Sequence, residues 1–166
     1  MQNTLVGIIA DTHDNRIQIQ KAVDLFNNWQ VCCVVHAGDV ISPFTALDFK
    51  KLHCPMEMVF GNNDGERPGL LAAFQGCATL LPGPRAFVVQ GKKFLLMHEP
   101  GCLEQAAQAS DLDVIVYGHT HDVEIRIGKP LVINPGEAGS WLRGTSTVVL
   151  LDMTTMQAEV VDLNRC

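Results

Sequence analysis

Hydrophobic residues in the first half of the chain alternate between two spacings. Short continuous apolar runs, typical of strands buried on both faces, cover residues 5–10, 31–35 and 56–60. Between these runs, apolar residues at helical spacing predict helices over 19–26 and 70–74, the second ended by Gly76. Ser42-Pro43 is a typical helix start and predicts a further helix from Ser42 to about Leu52.

Strand patterns dominate the second half. Three hairpins are predicted, joining 87–89 to 94–97 around a 90–93 loop, 124–127 to 131–133 around 128–130, and 148–151 to 158–161. A short helix over Leu103–Ala109 and a strand over Val114–Tyr117 lie among them. The order βαβαβα followed by strands predicts an α/β fold with two mixed β-sheets packed face to face and helices outside, in one domain spanning 1–166.

Polar residues cluster just after five of the apolar runs. These segments are Asp11-Thr12-His13, His36-Ala37-Gly38-Asp39, Gly61-Asn62-Asn63-Asp64, His98 and Gly118-His119-Thr120-His121. Each segment alone is compatible with a solvated turn, a helix cap or a satisfied histidine. Together they place Asp, Asn and His side chains at the carboxyl ends of strands, where α/β sheets carry their sites. Imidazole nitrogens mixed with carboxylate and amide oxygens suit divalent ions such as Mn, Fe, Co, Ni or Zn.

Composition and charge narrow the function classes. Hydrophobic residues make up 47% of the chain, which indicates a folded core, and no apolar run is long enough for a membrane helix. The formal net charge of −6 argues against an extended nucleic acid as partner. The six cysteines lack metal-site spacing, so reduced core thiols are favoured over disulfides. Met1-Gln2-Asn3-Thr4 does not resemble a signal peptide, and we expect a cytoplasmic location.

The ordered motifs D-x-H, G-D, G-N-x-D, a single His and G-H-x-H resemble those of the calcineurin-like metallophosphoesterase superfamily. The small size, His36-Ala37-Gly38-Asp39 and Ile133-Asn134-Pro135-Gly136 are similar to its compact YfcE-like phosphodiesterase branch. The resemblance covers about residues 5–151 and implies an αββα sandwich. It also implies metal-dependent hydrolysis of a phosphoester, with a diester favoured over a monoester, by a hydroxide that bridges two metal ions.

The resemblance also implies a role for each motif residue. One ion would be bound by Asp11, His13 and His121, the second by Asn62, His98 and His119, and Asp39 would bridge them. Asp39, Asn62 and His98 are the implied catalytic residues, and Asn62 would also hold phosphate oxygens. Arg143 either contacts phosphate or is an ordinary surface arginine. Manganese is the favoured metal, with Ni, Co, Fe, Zn or Mg as alternatives. Two divalent ions would bring the formal charge from −6 to −2.

Three positions depart from the family pattern. Asn63 stands where many relatives have a histidine that assists the leaving group, and an amide cannot act as a general acid near neutral pH. This leaves Asp64 as a capping or structural residue. Glu99-Pro100 and Glu137 add acids near the site, and we expect them to alter substrate choice.

Neighbouring residues are assigned supporting roles. Asn134 and His36 are expected to orient ligands, with His36 supporting the loop of Asp39. Asp14 and Asn15 are expected to start the first helix rather than bind metal.

Two other functions remain open from the sequence. One is a non-catalytic protein-interaction scaffold on the same fold, as in the retromer subunit of the superfamily. The other is a nuclease, which would need a basic groove. Because all seven ligand positions are filled, the enzyme acting on a small phosphoester is favoured. The resemblance further implies a homodimer or homotetramer.

Overall fold

The first sheet contains the parallel strands that the apolar runs predict. The computed structural model describes residues 4–108 and 111–165. Its first half runs β1 (Leu5–Ile9), α1 (Arg16–Asn28), β2 (Cys33–His36), a 3-10 turn (Pro43–Thr45), α2 (Ala46–Phe49), β3 (Met56–Val59), α3 (Arg67–Phe74) and β4 (Ala78–Leu81). Strands β1 to β4 lie side by side and parallel.

The second sheet is built from the following segment of the chain. Its elements are β5 (Arg85–Val89), β6 (Lys92–Leu96), α4 (Leu103–Ala106), β7 (Val114–Val116), β8 (Val123–Arg126) and β9 (Leu131–Pro135). The strand order is β5-β6-β7-β9-β8, with parallel and antiparallel pairs. The last hairpin, β10 (Thr147–Asp152) and β11 (Gln157–Asp162), returns to the first sheet, where β10 pairs antiparallel with β1.

Side-chain alternation along the strands produces four layers. In β1, Val6 and Ile8 face the second sheet and pack with residues such as Leu96 and Val116, whereas Ile9 faces α1. Helices α1 to α3 cover the outer face of the first sheet, and α4 covers the second. The predicted fold class, two mixed sheets packed face to face between helices, is therefore confirmed.

Several element boundaries were predicted wrongly. Residues 42–52 form a 3-10 turn and a single turn of helix, and the Ser42 hydroxyl donates to Asp14 instead of capping the helix. The half-exposed strand β4 was missed because its sequence, Ala-Thr-Leu-Leu, does not alternate apolar and polar residues, although its burial does alternate. The first hairpin turns over two residues, Gln90 and Gly91, both with positive φ, so β6 begins at Lys92.

Two helix ends also differ from their predictions. Helix α3 begins at Arg67, one turn before the predicted start at Leu70. Helix α4 ends at Ala106, and the predicted end at Ala109 lies outside the described residues.

The five described cysteines are all free thiols, as predicted, whereas Cys166 lies outside the described residues. Cys33 is buried, as the expectation of core thiols requires. The others are only partly buried and pack against the edges of the core, so the expectation holds in part for Cys32, Cys54, Cys77 and Cys102. Burial raises the pKa of Cys33 to about 12, which makes its thiol a poor nucleophile. Across the described ranges, no helix combines the length and apolar character needed to cross a membrane.

Candidate metal centre

Seven predicted ligand residues meet at one rim, between the two sheets. Asp11 and His13 follow β1, Asp39 follows β2 and Asn62 follows β3, so four come from the first sheet. His98 follows β6, and His119 and His121 follow β7 of the second sheet. The rim is therefore assembled from both sheets, as the shared position at strand ends predicts.

Asp11, His13 and His121 form the first ligand group. Asp11 Oδ1 lies 3.7 Å from His13 Nε2 and 3.6 Å from His121 Nε2, and the two imidazole centroids are 5.2 Å apart. Together the three residues can offer one nitrogen or oxygen each to a single ion. This is the set that the resemblance implies for one metal.

The second ligand group is centred on Asn62. Its Oδ1 lies 2.8 Å from His98 Nε2 and 2.9 Å from His119 Nδ1. His98 Nδ1 lies 2.8 Å from the Ala37 carbonyl, which can only accept, so Nδ1 carries the proton and a neutral His98 turns a lone pair toward Asn62. The Nε2 lone pair of a neutral His98 and the Asn62 carbonyl oxygen are both acceptors, so these two residues and His119 would suit a shared divalent ion.

Asp39 lies between the two groups. Its Oδ2 is 3.5 Å from His13 Nε2 and 3.4 Å from His98 Nε2, and its side chain is almost fully buried. Asp11, Asp39 and His98 can also offer ligand atoms to one ion. The position suits a carboxylate shared between two ions, since each of its oxygens has lone pairs available.

The backbone around the ligands is strained. Five of the seven adopt the left-handed region that L-residues rarely occupy, with φ of 53° at Asp11, 40° at His13, 59° at Asp39, 72° at His119 and 61° at His121. Such conformations cost about 1–3 kcal/mol each and persist where the surrounding structure holds them, commonly at functional sites. These five are among eleven non-glycine residues with positive φ in the described parts of the chain, and such a concentration at one rim is typical of functional sites.

Unpartnered polar atoms show that the residues fit divalent ions. Asp11 Oδ1, His13 Nε2 and His121 Nδ1 are buried without a hydrogen-bond partner. A buried polar atom without a partner costs about 1–3 kcal/mol of folding free energy. A cation bound between Asp11 Oδ1 and His13 Nε2, which lie 3.7 Å apart, would satisfy both of these atoms. Hard oxygens with imidazole nitrogens are a suitable donor set for first-row divalent metals.

The electrostatics of the rim favour a cation. Hydrogen bonding to Asp11 raises the pKa of His13 above its ordinary value. Burial acts to lower the pKa of His98, but the contact with Asp39 outweighs it and the pKa is raised. Burial also acts to raise the pKa of Asp39, yet His98 and Asn63 outweigh it and hold that pKa well below its usual range.

Asp64 and His36 support the loop of Asp39. The buried Asp64 carboxylate accepts the backbone N–H groups of Asp39, Ile41 and Gly61 at 2.7–3.0 Å, which is a structural role as predicted. His36 Nδ1 accepts from the Gly38 N–H, and its Nε2 lies 3.2 Å from the Thr12 hydroxyl. Burial lowers the pKa of His36 to about 4, so this imidazole is neutral and supports the loop.

Asn63 contacts the central carboxylate. Its backbone N–H donates to Asp39 Oδ1 at 2.9 Å and its Nδ2 donates to Asp39 Oδ2 at 2.7 Å. This contact was not predicted, because the sequence identifies only the missing histidine. Asn63 thereby helps to keep Asp39 ionised and oriented.

Glu137 is buried beside His121 instead of facing the substrate side. Its carboxylate accepts the backbone N–H groups of Trp141, Leu142 and Arg143, and Oε2 lies 3.4 Å from His121 Nδ1. Burial acts to raise the pKa of Glu137, but these amides outweigh it and lower that pKa. Because the Glu137 carboxylate is engaged by these amides and by His121, we no longer expect it to contact the substrate directly.

The remaining predicted residues lie near the rim. Arg143 is half exposed, 2.8 Å from Asp122 Oδ1, with a hydrogen bond to the Thr120 carbonyl. Asn134 donates to Gly118 and Thr120, so it braces the loop that carries His119. Asn15 caps α1 as predicted, while Asp14 accepts from Ser42.

Comparisons with known proteins agree with this geometry. Residues 5–156 match the model of the calcineurin-like phosphoesterase superfamily domain. The chain is 36% identical over 152 residues to the phosphodiesterase MJ0936 of Methanocaldococcus jannaschii, covering 89% of this chain and 92% of that one. A solved structure of an archaeal phosphodiesterase is 32% identical and superposes with a TM-score of 0.90, covering 95% of this chain and 99% of the other.

A more distant solved structure has the same fold. The phosphoesterase YfcE of E. coli is 20% identical, with a TM-score of 0.57 over 96% of this chain and 100% of that chain. The motif order, the four-layer fold and the match over residues 5–156 together show that the chain belongs to the calcineurin-like phosphoesterase superfamily.

Proposed function

We propose that this protein is a phosphodiesterase that uses two divalent metal ions. One ion would be held by Asp11, His13 and His121. The other would be held by Asn62, His98 and His119, and Asp39 would contact both ions. The observation that carries the proposal is the position of Asp39, whose Oδ2 lies 3.5 Å from a histidine of one group and 3.4 Å from a histidine of the other. Manganese is the first metal to test, with nickel, cobalt, iron, zinc and magnesium compared in the same assay.

The bound ions would lower the pKa of a shared water and neutralise phosphate oxygens during in-line displacement. The protein's own residues do the rest. The Oδ1 atom of Asn62 faces His98 and His119, so its side-chain N–H groups are available to donate to a phosphate oxygen. His98 has its Nδ1 proton committed to Ala37, so its orientation is fixed.

Asn63 favours diesters with good leaving groups. Its amide donates to Asp39 and has no proton to give to a departing alkoxide. We therefore expect bis(p-nitrophenyl) phosphate to be hydrolysed far faster than a dialkyl phosphate, whose alkoxide leaving group needs a proton. Equal rates for the aryl and the alkyl diester would contradict this role of Asn63. The preference for diesters over monoesters is a separate expectation, tested by comparing bis(p-nitrophenyl) phosphate with p-nitrophenyl phosphate, which share one leaving group.

The decisive experiment is Asp39→Ala, with the exposed Asp24→Ala on α1 as the matched control. The wild type and Asp24→Ala should bind two equivalents of manganese and hydrolyse bis(p-nitrophenyl) phosphate. Asp39→Ala should lose metal and at least about 100-fold in rate. Full activity and full metal content in Asp39→Ala would refute the shared carboxylate, and a metal-loaded wild type without hydrolysis would favour the scaffold alternative.

A further inference from the structure

A groove opens beside the second ligand group. Its volume is about 310 Å³, in the range of small-molecule sites, and its lining includes Phe60, Asn62, Arg67, Met97, His98 and Glu99. Asn62 and His98 belong to both the groove and the candidate metal centre. A phosphodiester held at the centre would therefore direct one of its two ester arms into this groove.

Arg67 is the arginine whose charge is left uncompensated. Five of the six arginines have a carboxylate within 4.0 Å, namely Arg16, Arg85, Arg126, Arg143 and Arg165. In the two described ranges, Arg67 has no such ion pair. Its guanidinium is therefore available to an anion from outside the protein.

The position of the Arg67 side chain is nonetheless fixed. Its guanidinium carbon lies 4.9 Å from the centroid of the Phe60 ring, and its Nε donates to the Asp64 carbonyl at 3.2 Å. These two contacts use the face of the guanidinium and one of its five N–H donors. The terminal N–H groups remain free for bidentate binding of a carboxylate or phosphate.

The groove also has apolar walls. Phe60 and Met97 are buried, with 8% and 2% of their surface exposed, and both line it. Such walls favour the carbon chain of an ester arm over water. Glu99, exposed at the groove, repels an anion placed close to it, so the charge on the arm must lie at Arg67.

We propose that this groove binds a substrate arm that carries a second anionic group, a carboxylate or a terminal phosphate, and that Arg67 recognises it. The proposal rests on the proposed phosphodiesterase function. It defines the substrate class as a phosphodiester with an apolar linker and an anionic end. Arg67 is then a specificity residue that binds the arm and takes no part in bond cleavage.

Two matched diesters test the proposal. Both have p-nitrophenol as leaving group, and the other arm is 4-carboxybutyl in one and pentyl in the other. With manganese-loaded wild type, we expect kcat/KM about tenfold higher for the carboxylate arm, mainly through KM. Arg67→Gln should reduce this ratio to about one, Arg67→Lys should give an intermediate ratio, and Arg165→Gln should keep the wild-type ratio.

A binding measurement separates recognition from turnover. The manganese-loaded wild type should bind 5-phosphonopentanoate more tightly than pentylphosphonate in calorimetry, and Arg67→Gln should remove the difference. Equal kinetics and equal binding for both members of each pair would overturn the role of Arg67 while leaving the phosphodiesterase intact. Absence of hydrolysis of both diesters by metal-loaded wild type would instead overturn the proposed function.

Discussion

Gly61 lies directly against Asp39, so replacing it with alanine should displace the central carboxylate. A Cβ at residue 61 would lie 2.1 Å from Asp39 Oδ1 and 2.4 Å from the Asp39 backbone nitrogen. Since ordinary contact begins near 3.4 Å, Asp39 would have to retreat by roughly 1 Å. Its backbone can hardly yield, because its N–H donates to Asp64 and its φ is already left-handed.

The expected loss in Gly61→Ala is therefore larger in activity than in stability. Overpacking should cost about 1–3 kcal/mol, or several degrees in Tm. A displacement of this size at a catalytic group should lower kcat/KM for bis(p-nitrophenyl) phosphate by about 100-fold. The assay is steady-state hydrolysis with manganese, together with metal analysis and thermal unfolding of the same preparation.

Two other glycines provide a graded control. Gly118→Ala places its Cβ 2.9 Å from Asp11 Oδ2 and should cause a smaller loss, whereas Gly65→Ala meets nothing within 4 Å and should behave as wild type. Activity should thus fall in the order Gly65→Ala, Gly118→Ala, Gly61→Ala. A folded Gly61→Ala with wild-type rate and metal content would refute the close packing of Asp39 as a requirement.

Three further predictions concern stability. Removing divalent ions with EDTA should lower Tm, and adding manganese should restore it. One ion at 100 times its Kd stabilises the folded protein by about 2.7 kcal/mol. An unchanged Tm would contradict metal binding. Asp64→Asn replaces an acceptor of three amides and should cost about 1–3 kcal/mol in urea unfolding, and a neutral result would show that these bonds are dispensable. Folding lowers the pKa of His36 from 6.5 to about 4, so as pH falls the unfolded protein binds a proton at this residue before the folded protein does. In EDTA, the contribution of a neutral His36 to the free energy of unfolding should therefore decrease between pH 6.5 and pH 4. The gap in unfolding free energy between wild type and His36→Gln should be wider at pH 7.5 than at pH 5, and a constant gap would refute a neutral buried His36.

The order of strands and helices could be predicted from the sequence because the core strands are continuous apolar runs. The edge strand β4 could not, since Leu81 and Thr79 are exposed and its identity depends on pairing with β3. The clustering of Asp, Asn and His side chains could be predicted because the carboxyl ends of parallel strands converge. Their roles as ligands follow from the family resemblance and stay a prediction. The partners of Glu137 could not, because its acceptor role depends on how residues 141–143 fold back over it.

The hydrogen bonds of Asn63 could not be predicted either. A motif identifies which residue type occupies a position, but not the donor or acceptor that the residue meets across the site. For the same reason, the sequence could not predict that Arg67 lacks an ion-pair partner among the described residues. This depends on the positions of the acidic residues around Arg67, and those positions follow from the packing of α3 beside the groove.

The origin of the ligands in both sheets has a mechanical consequence. Asp11, His13, Asp39 and Asn62 belong to one sheet, and His98, His119 and His121 to the other. An ion bound by residues of both sheets, as proposed, would link the sheets, so its binding free energy would add to the stability of the contact between them. The metal-loaded protein would then tolerate a cavity between the sheets, such as that left by Val35→Ala, that unfolds the metal-free protein. The concentration of available metal would then determine how many destabilising substitutions between the two sheets the folded protein can tolerate.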